Sequence, residues 1–262
     1  MTDLVRIGSE TARRGFENEK EIAKKFNDWR TDPEARKWLR IMGYPLEEIE
    51  KVEAKVIPGH KADLSVSVSV RGQPITVQNI SAKEANSNSN YNQIDKRWVR
   101  NYSKLWNLPP NVMRSLEIYC GEISPLELLK AGEITKEKYD SLEDKRRFFM
   151  NEFERSDSEA VLDFFSKNKS SIVEDVLKGR GEYAADWMLV TQLNGSENEI
   201  NWVLADMDDV IKIFEKGDVR LSPKNNIKIG EITVQRKGGD NGRKTANMLQ
   251  FKMNPCLLFD HR

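Results

Sequence analysis

Apolar and polar positions alternate through residues 60–84, HKADLSVSVSVRGQPITVQNISAKE. In the first half of this stretch, one side of the chain carries Ala62, Leu64, Val66, Val68 and Val70, and the other carries Asp63, Ser65, Ser67 and Ser69. This alternation predicts a half-buried β-strand. The turn sequence RGQP follows, and residues 75–82 predict a second strand, which forms a hairpin with the first. One face of the second strand carries Val77, Asn79, Ser81 and Lys83.

The hairpin brings Asp63, at the start of its first strand, near the end of its second strand. A closing loop of four residues, 71–74, would pair Asp63 with Ala82 and leave Lys83 on the wrong side. A loop one residue longer or shorter, or a β-bulge, places Asp63 level with Lys83 or Ser81 on one face. We expect such an offset.

A carboxylate beside an ammonium group at a strand end can hold a divalent metal and activate a water for phosphodiester cleavage. The alternative is an ordinary surface ion pair between Asp63 and Lys83, which contributes little. The hairpin alone favours the ion pair.

An amphipathic helix is predicted over residues 11–30, because Phe16, Ile22, Ala23, Phe26 and Trp29 form one apolar stripe. Glu19 lies on this stripe, where a carboxylate is costly unless it has a partner. Either Glu19 has a function at a site, or it lies at the edge of the stripe and reaches solvent.

An asparagine-rich loop follows Lys83, and a helix is predicted over residues 93–106. Amide side chains carry donors and acceptors suited to reading base edges, and cations near the helix start suit phosphates. The candidates for DNA contact in this region are Asn90, Asn92, Gln93, Lys96 and Arg97. The alternative is a polar surface loop followed by an ordinary amphipathic helix.

A strand is predicted over residues 227–234, and the polar stretch QRKGGDNGRKTANMLQFK follows from Gln235. Its glycines permit close backbone approach, and its cations and amides outnumber its apolar residues. Arg or Lys suits guanine, and Asp can accept from the amino group of cytosine. A mobile surface hairpin is the alternative, which this density of amides and cations disfavours. The candidates here are Gln235, Arg236, Lys237, Asp240, Asn241, Arg243, Lys244, Asn247, Gln250 and Lys252.

Net charge is zero over 262 residues, with 42 basic and 42 acidic side chains, so total charge does not indicate a partner. The distribution of charge does indicate one, because residues 220–252 contain eight Lys or Arg and only two acidic residues. Opposed charge zones suit a protein that holds a polyanion on one face.

Cys120 and Cys256 lack metal-site spacing and indicate reduced thiols. The sequence has no apolar signal region or membrane-length run, so we expect a cytoplasmic protein without membrane contact. Two histidines leave little material for histidine catalysis. The GRGEYA stretch from Gly179 follows a predicted helix, which argues against a dinucleotide-binding turn and for a helix-ending glycine.

The hairpin pattern resembles the PD-(D/E)XK nuclease superfamily. Within it, the chain resembles the HinPI family of type II restriction endonucleases, which cut GCGC, nearly from end to end. Five stretches carry the likeness: GFENEKEIA from Gly15, YNQIDKRW from Tyr91, DKRRFFMNEF from Asp144, GRGEYAADW from Gly179 and QRKGGDNGRKTANMLQFK from Gln235. A thinner likeness to MspI, which cuts CCGG, rests on the active-site spacing and the MLQFK ending.

The resemblance implies an α/β fold with a mixed central β-sheet flanked by helices. It also implies one endonuclease domain over 1–262, with a catalytic core at about 11–107 and recognition elements at about 85–105 and 220–255. The implied activity is Mg²⁺-dependent cleavage of double-stranded DNA at GCGC, after the first G, by a monomer on DNA that forms at most a weak dimer. The alternative is a DNA-binding protein that has lost cleavage.

The resemblance also implies roles for individual residues. Asp63 binds the metal, and Lys83 positions or deprotonates the attacking water. Ser81 stands where the family has an acid or an amide, so it would assist by hydrogen bonding rather than as a ligand. Glu19 matches a first-helix glutamate that lies beside the metal. Gln250 and Lys252, by likeness to the MspI ending, are the leading candidates for base contact.

Overall fold

The computed structural model describes residues 2–85, 91–193, 200–239 and 243–261, and gives only the backbone for residues 2–14, 193 and 200. In chain order, the elements are α1 (Thr2–Asn27), α2 (Pro33–Ile41), β1 (Ile49–Val56), β2 (Leu64–Val70), β3 (Thr76–Ala85), β4 (Asn92–Arg97), α3 (Val99–Trp106), α4 (Pro110–Cys120), α5 (Pro125–Lys130), α6 (Lys136–Ser141), α7 (Arg155–Lys167), α8 (Lys169–Leu177), β5 (Trp187–Leu193), β6 (Ile200–Asp206), α9 (Met207–Phe214), β7 (Val219–Leu221), β8 (Ile227–Ile229), β9 (Ile232–Arg236) and β10 (Leu249–Met253). Short 3₁₀ helices cover Met150–Glu152, Lys244–Asn247 and Pro255–His261.

Backbone contacts divide the chain into two compact units, each with its own sheet. The hairpin unit comprises Arg6–Asn92, Leu177–Ile213 and Asn254–Arg262, and the tail unit comprises Met1–Val5, Gln93–Val176 and Phe214–Met253. The expectation of one endonuclease domain over 1–262 stays a prediction. None of the helices in the described ranges is long and apolar enough to cross a membrane.

The hairpin unit contains a five-stranded mixed sheet in the order β1-β2-β3-β5-β6. Its neighbouring strands are antiparallel except for β3 and β5, which run parallel. Helices α1 and α2 pack on one face, where Phe26, Trp38, Leu64 and Ile80 lie in one core cluster. The alternating valines of β2 belong to the same cluster and are buried by this packing. The predicted mixed α/β fold is therefore confirmed.

Helix α2 begins and ends where its sequence indicates. The Asp32 carboxylate accepts from the backbone N–H groups of Glu34 at 2.9 Å and Ala35 at 2.8 Å. These bonds satisfy two of the four donors left free at a helix start. Gly43 follows the helix with a φ of 86°, a conformation that glycine adopts without strain.

The tail unit contains a second five-stranded sheet, in the order β4-β10-β9-β8-β7, which the sequence did not predict. Its apolar face packs on helices, with the Phe251 ring 5.3 Å from the Tyr102 ring and 5.6 Å from the Trp106 ring. The buried Tyr119 hydroxyl donates to the Val234 carbonyl at 2.9 Å and fastens α4 to β9.

The helix predicted over residues 93–106 is wrong in its first half. Residues Asn92–Arg97 form strand β4, and the helix begins only at Val99. Polar residues at 93, 96 and 97 suggested a helical face, but pairing with β10 gives this segment a strand geometry. Gln93, Lys96 and Arg97 therefore lie along a strand and do not share one helix face.

Candidate active site and nucleic-acid interface

The register of β2 and β3 differs by one residue from the register that a four-residue loop would give. Leu64 pairs with Ile80 and Val68 pairs with Thr76, and just before these pairs the Asp63 N–H donates to the Ile80 carbonyl at 2.9 Å. The closing loop is thus one residue shorter than the four-residue loop that would have separated these side chains. The predicted offset is confirmed, and the Asp63 carboxylate lies on the Ser81 and Lys83 face.

Three groups of β3 donate to one oxygen of Asp63. Its Oδ2 accepts from the Ala82 backbone N–H at 2.7 Å, from the Lys83 ammonium at 3.0 Å and from the Ser81 hydroxyl at 3.2 Å. Lys83 Nζ also donates to the Ala82 carbonyl at 2.8 Å. The side chains of Asp63 and Lys83 are only 22% and 16% exposed, so this pair is shielded from solvent, unlike a surface ion pair.

The packing of α1 places Glu19 near the same strand end. Ile22 and Phe26 of α1 are buried in the core, and the Thr191 hydroxyl donates to the Asn18 side chain at 2.9 Å, which ties α1 to β5. Burial raises the pKa of the Glu19 carboxyl from 4.5 to about 7, the negative charge of Asp63 adds to the rise, and Lys83 opposes it. The electrostatic coupling to both side chains indicates that Glu19 faces this pair.

The oxygen atoms gathered here suit a hard divalent cation. Asp63 and Glu19 supply carboxylates, and Ala82 supplies a carbonyl. The raised pKa of the half-buried Glu19 carboxyl would be lowered by a nearby cation. Over the described residues, no group of three or more His, Cys, Asp or Glu is placed to hold a metal. A bound ion would therefore depend on backbone and substrate oxygens as well as on Asp63 and Glu19.

Amide side chains form a row across the polar face of the tail-unit sheet. Gln250 pairs in register with Gln235, and the Gln250 Nε2 donates to Gln93 Oε1 at 2.7 Å. The Oε1 atom of Gln250 is buried and has no hydrogen-bond partner within the described part of the chain. An acceptor in this state suits a ligand that brings an N–H group.

A second row on this face contains cations, of which the sequence analysis identified only Lys252. Lys252 pairs with Thr233, Thr233 with Lys228, and Lys228 with Arg220. The Lys228 ammonium donates to the Thr233 hydroxyl at 3.2 Å and to the Glu231 carbonyl at 2.9 Å. Burial lowers the pKa values of both Lys228 and Lys252. Lysine and threonine in the polar phase of two otherwise apolar strands were the signal that could have found them.

Two of the predicted DNA-binding arginines are held by neighbouring side chains. Arg97 makes a two-point ion pair with Asp95, with both N···O distances 3.0 Å, and Tyr102 donates to the same carboxylate at 2.6 Å. Arg236 donates from Nε and Nη2 to the Asn247 side-chain oxygen at 3.1 and 2.8 Å. These guanidinium groups are therefore pre-oriented, which lowers the entropy lost on binding.

The other predicted contacts differ in exposure. Lys96, Arg243 and Lys244 are exposed, and Lys237 is half-buried. Asn92 belongs to the hairpin unit, where its amide donates to the Glu84 carbonyl at 3.1 Å. Asn90, Asp240 and Asn241 lie outside the described residues.

The arrangement of helices and strands is similar to that of a solved nuclease. The structure is similar to the crystal structure of restriction endonuclease MspI in complex with its cognate DNA, with a TM-score of 0.60 over 95% of this chain and 92% of that chain. Sequence identity is 13%, so this likeness shows that the two chains share a fold. A search among curated proteins finds no match.

A family comparison gives the narrower assignment. The R.HinP1I restriction endonuclease family matches residues 42–259, which is most of the chain. The chain belongs to this family, and it is accordingly a DNA-binding hydrolase of the restriction-endonuclease class. Both resemblances inferred from the sequence, to HinPI and more distantly to MspI, are confirmed.

Proposed function

We propose that this protein cuts double-stranded DNA at a short GC-rich palindrome, GCGC, by Mg²⁺-dependent phosphodiester hydrolysis. The observation that carries the proposal is the convergence of Ala82 N–H, Ser81 and Lys83 on one oxygen of Asp63, with Glu19 coupled to the same pair. A half-buried acid and a half-buried amine that share a strand end suit hydrolysis at one phosphate.

Asp63, Glu19 and the Ala82 carbonyl are the groups that would hold Mg²⁺. When bound, the ion neutralises phosphate charge and makes a nearby water a better nucleophile. Asp63 Oδ2 is saturated by three donors, so its carboxylate keeps one orientation during the reaction. Lys83 positions or deprotonates the attacking water and stabilises the charge that develops on the phosphoryl oxygens. Ser81 assists by holding Asp63 in place.

Sequence recognition is assigned to the polar face of the tail-unit sheet. Gln250 offers an unpaired acceptor to a cytosine amino group, and Lys252 offers a donor to guanine. Gln93, Gln235, Arg236 and their neighbours in 235–252 complete the surface, with the exposed cations on phosphates. The DNA present in the MspI structure supports a duplex as the ligand.

The decisive experiment is a digest of a sequenced plasmid with Mg²⁺, followed by mapping of the cut ends. We expect cutting after the first G of each GCGC site, by a monomer acting on DNA in the cytoplasm. Ends that map to another sequence would overturn GCGC while leaving the nuclease assignment intact. Equal cutting with EDTA present would overturn the role of Mg²⁺.

A second function, sequence-specific binding without cleavage, is favoured by one observation: Ser81 replaces the acid or amide of the family. Ser81 is 2% exposed, and its hydroxyl is a poor metal ligand. If the wild-type protein shifts GCGC duplexes in a gel with Ca²⁺ but never nicks them with Mg²⁺, this second function replaces the first.

A further inference from the structure

The segment between α8 and β5, residues 178–186, lies against the strand that carries Asp63. The Ala62 backbone N–H donates to the Tyr183 carbonyl at 3.2 Å, and the Tyr183 ring lies 4.0 Å from the His60 ring. Gly179 has a φ of 77°, and a Cβ there would meet the Lys61 side chain at 2.5 Å. The three residues before Asp63 therefore all contact this segment.

Asn79, on strand β3, also makes hydrogen bonds to residues 182–186. Its side-chain amide donates to the Glu182 carbonyl at 2.8 Å and to the Ala184 carbonyl at 3.1 Å. Its backbone N–H donates to the Asp186 carboxylate at 2.8 Å, and its carbonyl accepts from the Asp186 N–H at 2.8 Å. Asn79 thus donates to the residues on either side of Tyr183, and the Tyr183 carbonyl accepts from the Ala62 N–H.

The chemistry of these hydrogen bonds needs an amide. Asn79 is 7% exposed, and its two side-chain donors face two carbonyls, so a carboxylate there would be repelled. Its Oδ1 is buried and has no hydrogen-bond partner among the described residues, which costs free energy. Because both side-chain donors of Asn79 are bonded and its acceptor is not, we infer that the donors are the reason for an amide at this position.

The same contacts determine where the Asp63 carboxylate lies. Asp63 N–H donates to the Ile80 carbonyl at 2.9 Å, and its carbonyl accepts from Ile57 N–H at 3.0 Å. These bonds hold the backbone of Asp63 within the sheet, and the Ala62–Tyr183 bond holds the residue before it. Asn79 lies two residues before Ser81 on the same face of β3, and it pairs with Ser65, two residues after Asp63.

We propose that Asn79 is a positioning residue, which clamps residues 182–184 so that Ala62 and the Asp63 carboxylate are held in the geometry needed for metal binding and cleavage. The catalytic part rests on the proposed function, whereas the clamp itself is a property of the fold. The two parts therefore have separate readouts.

The clamp is tested by hydrogen exchange on the metal-free protein. In Asn79→Leu, we expect the Ala62 amide to exchange about tenfold faster, with peptides from α2 unchanged. Gln78→Leu is the matched control, because Gln78 is the preceding residue on β3 and bonds Tyr44 and Trp187 instead. Unchanged exchange at Ala62 in Asn79→Leu, or equal acceleration in Gln78→Leu, would overturn the clamp.

The consequence for catalysis is tested by kinetics. We expect kcat of Asn79→Leu to fall about 10–100-fold, with KM for DNA within about twofold of wild type and a higher Mg²⁺ concentration at half-maximal rate. A purely structural role would lower the active fraction and leave the Mg²⁺ dependence unchanged, which would contradict positioning. An inactive wild type would defeat the proposed function and leave the exchange result standing.

Asp186→Asn gives a milder test if Asn79→Leu does not fold. The amide oxygen still accepts from the Asn79 N–H but lacks the charge that strengthens this bond. We expect the same two changes, faster Ala62 exchange and a raised Mg²⁺ requirement, each about threefold. Wild-type values for both in a folded Asp186→Asn would contradict the proposal.

Discussion

The two sheets differ in how their polar faces arrange charge. In the hairpin unit, Asp63 and Lys83 lie 3.0 Å apart at one strand end, and Glu19 is coupled to both. In the tail unit, Gln250 and Lys252 belong to separate rows that run across the strands, about 4.8 Å from one strand to the next. Groups that act on one atom must converge, whereas groups that read a polymer must be spaced along it.

Convergence has an electrostatic cost that spacing avoids. The raised pKa of Glu19 reflects burial first and the negative charge of Asp63 second, so part of the rise is repulsion between two carboxylates. In the tail unit, burial alone lowers the pKa of Lys252, and Lys228 is stabilised by donating to Glu231 and Thr233. The first arrangement suits binding of a cation, and the second suits binding of hydrogen-bonding edges and phosphates.

The largest expected effect is the loss of DNA cutting when the charge of Asp63 is removed. Asp63→Asn keeps the shape and removes the charge, so cutting should fall by about 10³-fold or more while binding of GCGC duplexes in Ca²⁺ stays within about threefold. The measurement is single-turnover cleavage beside a gel shift. Asp209→Asn is the matched control, because Asp209 pairs with Lys212 at 2.8 Å on the exposed surface of the same unit. Turnover retained by Asp63→Asn, or lost in Asp209→Asn, would contradict the site.

The next effect separates base reading from phosphate binding within the tail unit. Lys252→Met should weaken binding to GCGC by about 10–100-fold and leave binding to unrelated duplexes nearly unchanged. Lys244→Gln, which changes an exposed cation, should instead weaken binding to all duplexes and lower the salt slope by about 1. Titrations at several salt concentrations distinguish them. Uniform weakening by Lys252→Met would assign Lys252 to phosphate.

The hairpin unit was the more predictable of the two units, because its hairpin is local in sequence. Alternation predicted both strands, and the requirement that Asp63 meet Lys83 predicted an offset but left open whether a longer loop, a shorter loop or a bulge produces it. The place of Glu19 on the apolar stripe of α1 left two interpretations open, a function at a site or a position at the stripe edge that reaches solvent. These inferences needed no contact beyond neighbouring elements.

The tail unit was less predictable, because its sheet joins distant parts of the chain. Strand β4 pairs with β10, more than 150 residues later, and no local pattern in 92–97 reports such pairing. The polar positions Lys228 and Thr233 on β8 and β9 could be seen in the sequence. Only the strand pairing with Lys252 shows that they form one row. Long-range register therefore limited what the sequence could predict.

A third effect measures the cost of convergence directly. Folding raises the pKa of Glu19 from 4.5 to about 7, so the folded state binds more protons than the unfolded state between these values. Stability therefore falls as pH rises through this window. In EDTA, Glu19→Gln should gain about 1–2 kcal/mol at pH 8, after a discount for partial exposure, and gain nothing near pH 4.5.

Urea unfolding of wild type and Glu19→Gln across this pH range provides the measurement. Glu17→Gln is the control, because Glu17 is an exposed residue of the same helix. A gain that persists unchanged at pH 4.5 would show that removal of charge repulsion is not its cause, and that Glu19 does not face Asp63 in the way described.

The smallest effect concerns Ser81, which tests how much of the convergence a hydroxyl supplies. Ser81→Ala removes the longest of the three bonds to Asp63 Oδ2, at 3.2 Å, and keeps those from Ala82 N–H and Lys83. The cleavage rate should therefore fall only about 3–10-fold, equivalent to about 1 kcal/mol. Ser65→Ala, at a buried serine opposite Asn79 on the same face, should leave the rate unchanged. If Ser81→Ala costs as much as Asp63→Asn, the hydroxyl takes a direct part in the reaction, and the family's acid or amide has been replaced in function as well as in position.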